Sequence, residues 1–196
     1  MNYLKSLILI LLFIFILGNV VKADYLGIEI IHYTRHFSNK SIELGEKYPR
    51  KLDAKGVHII TPGIEVYFDN GINYEDIPIP YQRWTFASYL DSMNLKAGYI
   101  HYGPRFSYNI KNNINLFFGL GPTFYFRESW NRFDEYRDDG FFQESKNYFR
   151  GYQFKLLLAG DIDFQYYFSD EIQFVWSIIP GLPDVITNAT GLRIKW

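Results

Sequence analysis

The 196-residue chain contains no cysteine, only two methionines and no surplus of positive charge. Without cysteine it can build no disulfide scaffold, thiol nucleophile or thiolate metal site. Its 20 Lys and Arg stand against 21 Asp and Glu, a net charge of −1. No excess of cations is left to neutralise a run of phosphates, so nucleic acid is not expected as a partner. Beyond residue 23 no apolar run approaches the roughly 20 residues that a membrane-spanning helix needs.

Aromatic residues, by contrast, make up 20% of the chain, almost all of them Phe (18) and Tyr (17). A water-soluble core does not need so many, and the mean hydropathy is only −0.14. The length argues for one domain, or a small domain plus extras, and the hydrophobic fraction of 48% is ample for an ordered structure, which excludes disorder and fibrous repeats.

The first 23 residues read as a secretory signal peptide: a short start with Lys5, an apolar run over 7–17, and Val21-Lys22-Ala23 as a small-x-small cleavage site. A membrane anchor is the alternative, but the run is too short to span. Removing 1–23 takes away Lys5 and Lys22 and no acid, which lowers the net charge from −1 to −3.

Residues 24–196 alternate with period two and therefore read as strands. Over 114–127, Ile114, Leu116, Phe118, Leu120, Pro122, Phe124 and Phe126 share one face, with Asn115, Gly119, Gly121, Thr123 and Arg127 on the other. Eight strands are expected, near 25–37, 57–68, 81–90, 93–110, 114–130, 149–168, 172–179 and 185–196. Mixed parity over 93–110 suggests a bulge near Gly98 or Gly103. Apolar faces this long and aromatic suit lipid, with Gly and paired charges turned into a lumen. The expected fold is thus all-β, an eight-stranded antiparallel up-and-down transmembrane barrel in the bacterial outer membrane, as a monomer or homodimer. A soluble secreted sandwich is the lower alternative.

Short turns at 111–113 and 169–171 would face the periplasm, and the polar stretches 39–56 and 131–147 the outside. A lumen of eight strands has room for side chains and no useful pore. Glu29, Arg35, Lys155, Asp161, Asp163, Arg193 and Lys195 are expected to form a neutralised plug within it.

Chemistry is sought first at His36 and Ser38. Residues i and i+2 of a strand point the same way, roughly 6 to 7 Å apart at the backbone. An imidazole and a hydroxyl can then come within hydrogen-bond reach, as a general base and a serine nucleophile must. Unbroken alternation puts the pair on the Leu26, Ile28 and Ile30 face, open to the outer membrane surface. The plainer reading is that both are polar girdle residues at a strand top. His32 shares the face but lies roughly 13 Å from His36, too far to chelate one metal. His58 and His101 lack local acidic partners, so neither metal nor cofactor is expected. Glu65 is the candidate orienting acid. Alternation sets it in the lumen, where it could merely pair with an interior Arg, and a bulge at Pro62-Gly63 would re-aim it. Its height depends on whether the strand turns at 69–71 or continues to Tyr74. Glu43 and Glu46 are fallback acids.

The elements Arg35-His36-Phe37-Ser38-Asn39 and Thr61-Pro62-Gly63-Ile64-Glu65 resemble those of the PagL-type outer-membrane lipid A 3-O-deacylases. These are eight-stranded barrels with His-x-Ser-Asn closing one strand and Pro-Gly-x-Glu entering the next. The resemblance implies His36 as base, Ser38 as nucleophile, Glu65 as orienting acid and the Asn39 region as part of an oxyanion hole. It implies an esterase that removes the acyl chain at position 3 of lipid A, with lipid A as its membrane partner. The alternative is a non-enzymatic small outer-membrane barrel with a surface-binding or structural role.

Overall fold

Alternating apolar and polar side chains favour long strands, and the computed structural model is built almost wholly from them. It describes residues 23–36, 58–71, 81–91, 94–130, 148–149, 151–181 and 185–196. The strands are β1 (Tyr25–His36), β2 (His58–Gly71), β3 (Tyr81–Leu90), β4 (Lys96–Lys111), β5 (Ile114–Glu128), β6 (Tyr148–Phe149), β7 (Tyr152–Tyr167), β8 (Ile172–Gly181) and β9 (Val185–Lys195). The two-residue β6 folds back on β7 alone. The other eight pair antiparallel with their neighbours, and the β1–β9 and β5–β7 ladders close the sheet into a barrel.

The lipid-side assignment holds: Leu156 and Leu158 are 70% and 67% exposed, and Ile28, Ile30, Ile60, Ile64, Leu120 and Leu192 are exposed as well. The fully buried large side chains are instead mostly polar, headed by Arg83, Arg105 and Arg193. This inside-out distribution is stable only with hydrocarbon around the wall.

The start of β1 and the end of β9 lie at one rim, where the Trp196 amide donates to the Asp24 carbonyl (2.8 Å). The tight 111–114 and 167–172 turns share that rim, which marks it as periplasmic. The connections through 37–57 and 131–147 leave from the opposite, outer rim.

Two departures from simple alternation matter. Register slips between Ile31 and Tyr33 in both the β1–β2 and β1–β9 ladders. Below the slip Gly27, Glu29 and Ile31 face inward, whereas above it Thr34 does, bonded to Thr61 (3.1 Å) and Thr187 (3.0 Å). Pro62, which has no N–H for the ladder, lies opposite this slip. The expected bulge near Gly98 or Gly103 is absent: Ala97, Tyr99, His101, Gly103 and Arg105 all face inward in one register with β3. The mixed parity arises because Tyr99 is an aromatic that points into the lumen. The β4 irregularity lies instead between Asn109 and Lys111.

Candidate functional site

The lumen is narrow, so what fills it decides what the barrel can do. At the periplasmic end Arg193 is stacked over Tyr25 (3.5 Å to the ring centroid), with Tyr81 at 4.8 Å and Phe117 at 5.9 Å. Above this aromatic ring Asp69 accepts from Arg83 Nε (2.6 Å) and Nη2 (2.9 Å) and from Arg193 Nε (2.8 Å). Arg83 Nη1 also donates to Asp163 (2.7 Å). Arg105 donates to both Asp161 and Asp163. Such charge-assisted bonds are strong where water is excluded, and the network joins β2, β3, β4, β7 and β9 across the bore. Gly119 makes room for it: a Cβ there would stand 2.0 Å from Asp161 Oδ1 and 2.6 Å from Arg105 Nη1. Gly27 does the same for the Tyr67 ring, over which Arg83 lies at 3.5 Å.

The expected plug is therefore present but centred differently. Asp69, Arg83 and Arg105 were missed, although each occupies an inward odd position beside Tyr67, Thr85 and Gly103. Arg35 and Lys195, expected inside, are exposed. Arg35 lies beyond the β1 slip that inverts parity, and Lys195 lies at the strand end.

Glu65 is 2% exposed and faces the lumen, where the Tyr99 hydroxyl donates to its carboxylate. It sits directly across the ladder from Glu29, whose own carboxylate is bonded by Ser177 (2.9 Å). β2 runs on to Gly71 and Asp69 pairs with Tyr25, so Glu65 is at mid-height. His36 closes β1 at the outer rim opposite Val185, seven residues past Glu29, about 23 Å at a strand's rise. The structure does not bring Glu65 and His36 together. The side chain of His36 lies outside the described residues, as do Ser38, Asn39, Glu43 and Glu46. The expectation that residues 26 to 38 share one outward face ends at the slip, because Thr34 is in the lumen.

Glu65 itself borders a small cavity in the lumen, together with Thr85, Tyr99, His101, Thr123, Tyr125 and Asp161. His101 Nδ1 lies 2.6 Å from the Thr123 hydroxyl, while His101 Nε2 and Thr85 Oγ1 have no partner among the described residues. Among those residues no three His, Asp or Glu stand together as a metal site would require. Higher still, Trp130 Nε1 donates to Asp91 (2.6 Å) and Arg127 lies 4.1 Å over the Trp130 ring, bordering the outer mouth of the lumen.

No protein-family model matches the chain, and no curated protein matches it. Among solved structures, the Neisserial surface protein A is similar over 88% of this chain and 96% of its own, at 9% identity and a TM-score of 0.54. Ail, the attachment invasion locus protein of Yersinia pestis (16% identity, 87% and 96% covered, TM-score 0.42), is also matched. So is the N-terminal barrel domain of Pseudomonas aeruginosa OprF (9%, 89% and 98%, 0.44). The first of these likenesses shows the fold: a small closed barrel of the outer-membrane type.

Proposed function

We propose that the chain is a non-enzymatic outer-membrane barrel that works through its outward and extracellular surfaces, in a surface-binding or structural role. The observation that carries this reading is the placement of Glu65. The one carboxylate that the sequence offers as the orienting acid on the neighbouring strand is held by Tyr99 inside the wall, about 23 Å along the strand from His36. A filled lumen supports the same reading, since side chains occupy the bore that a transport path would need. A signal peptide over 1–23 would deliver the chain to that membrane.

The second reading is a lipid A 3-O-deacylase in which His36 activates Ser38, Asn39 contributes to the oxyanion hole, and the acid is Glu65 or, from 39–56, Glu43 or Glu46. It is favoured by the position of His36 as the last residue of β1 at the outer rim, the level of the outer leaflet. Mass spectrometry of lipid A from cells with and without the protein decides between the readings. The first expects identical lipid A in a strain that exposes the 3-linked ester. Loss of one hydroxyacyl chain, restored by Ser38→Ala and by His36→Ala, would establish the second.

A further inference from the structure

The outward row of β9 is apolar at both ends and polar in the middle. Thr187 bonds Thr34 inside the lumen and Ala189 is fully buried, so by alternation Asn188 and Thr190 point outward. On the same strand Ile186 lies above them, and Leu192 and Ile194 lie below. Both polar side chains therefore stand within the apolar band and not at its edge. Thr190 pairs with Ile30, next to Glu29 at mid-height. Elsewhere the wall is uniform: over 116–126 of β5 and 154–164 of β7 no outward side chain is polar.

Hydrocarbon offers no hydrogen bonds, so a polar group placed in it needs a protein partner. Thr190 has one, because the slip in β1 turns His32 onto the wall with Nε2 at 2.5 Å from the Thr190 hydroxyl. Asn188 has none. It sits between Ile178 of β8 and Tyr33 of β1, and its carboxamide makes no hydrogen bond among the described residues. Ile186 separates it from the outer interface, and Leu192 and Ile194 from the inner one, so lipid headgroups do not supply the missing bonds.

We infer that this face is a homodimer interface, in which the Asn188 side chains of two copies pair inside the membrane about a two-fold axis along the bilayer normal. Copies of one chain insert in one orientation, so such an axis brings each residue to its own counterpart at the same depth. A carboxamide is complementary to itself, donating one N–H to the other's carbonyl and accepting one in return. This singles out a second copy as the occupant: a lipid tail has neither group, and an unrelated chain would need both at this depth. The exposed Ile30, Trp176 and Leu192 around the pair supply apolar packing. Polar side chains join membrane-embedded segments in this way. The contact uses neither His36 nor Ser38, so its failure would leave the lipid A comparison above untouched.

Energy transfer between copies in liposomes tests it, with donor or acceptor carried on a single cysteine in place of the exposed Lys111 at the periplasmic rim. As the protein-to-lipid ratio rises, transfer should saturate and grow linearly with the acceptor fraction, as a dimer requires. Asn188→Leu, which suits lipid better than the native amide, should raise the ratio needed for half-association about tenfold through the loss of two hydrogen bonds. Asn188→Gln, which keeps the carboxamide, should recover most of that loss. Ile100→Ala, outward on β4 across the barrel, should leave association unchanged. Folding of each variant is checked by its heat-shifted mobility in gels. Transfer no greater than that of randomly mixed monomers, the acceptor dependence of a larger assembly, or an unchanged ratio in folded Asn188→Leu would each overturn the interface, as would a monomeric barrel that co-purifies with a different membrane protein through Asn188.

Discussion

Replacing Arg83 by Met should lower the unfolding free energy of the liposome-inserted barrel by about 3–5 kcal/mol, the usual cost of stranding a buried partner. Arg83 is the hub of the lumen, bonding Asp69 through two nitrogens and Asp163 through a third, with its own side chain almost wholly buried. Met fills similar volume but supplies no donor, which leaves Arg193 to hold Asp69 and Arg105 to hold Asp163. The penalty thus comes mainly from leaving Asp69, Asp161 and Asp163 to share Arg105 and Arg193, so adding Asp69→Asn to Arg83→Met should recover part of it. A urea titration followed by tryptophan fluorescence reads both. A loss below about 0.5 kcal/mol, the range of ordinary surface changes, would mean that water enters the lumen freely and that the network is not a plug.

The second large effect is expected on the other face. Leu158 lies near the middle of β7, opposite Pro122 of β5, and is among the most exposed apolar side chains. Leu158→Arg should cost about 2–4 kcal/mol in a bilayer, whereas Phe168→Arg, at the periplasmic end just past β7, should cost about 0–1 kcal/mol. Depth dependence is the signature of hydrocarbon. A soluble sandwich with the same exposed leucine would gain solubility from the arginine and show no such gradient.

These two faces also show how far sequence reasoning reached. Period-two alternation located all eight barrel strands to within a few residues, because a membrane wall imposes one rule on every strand. It also set Glu65 in the lumen, where the structure has it. What alternation cannot show is where it breaks. Nothing in Ile30-Ile31-His32-Tyr33 signals a bulge, and the one-residue slip reverses the face of everything after it. For the same reason Arg35 was assigned to the inside and His32 drew notice only as a distant metal ligand. The plug was legible as a set of inward charges but not as a network, since Arg83 and Asp163 are 80 residues apart and meet only once the barrel closes. The bond between His32 and Thr190, 158 residues apart, is invisible in sequence for the same reason.

The account stands on one claim, that the alternating apolar face looks into lipid and the polar face into a filled lumen. The absence of native cysteine makes the decisive measurement simple, because single cysteines can be introduced and spin-labelled without background. Labels placed one at a time along β7 of the liposome-inserted protein should alternate in their collision with oxygen, which concentrates in hydrocarbon. Positions 156, 158, 162 and 164 should collide strongly, and positions 153, 163 and 165 weakly. Loss of the alternation, or strong collision of 156 and 158 with a water-soluble relaxant, would contradict a lipid-facing wall and with it the barrel reading.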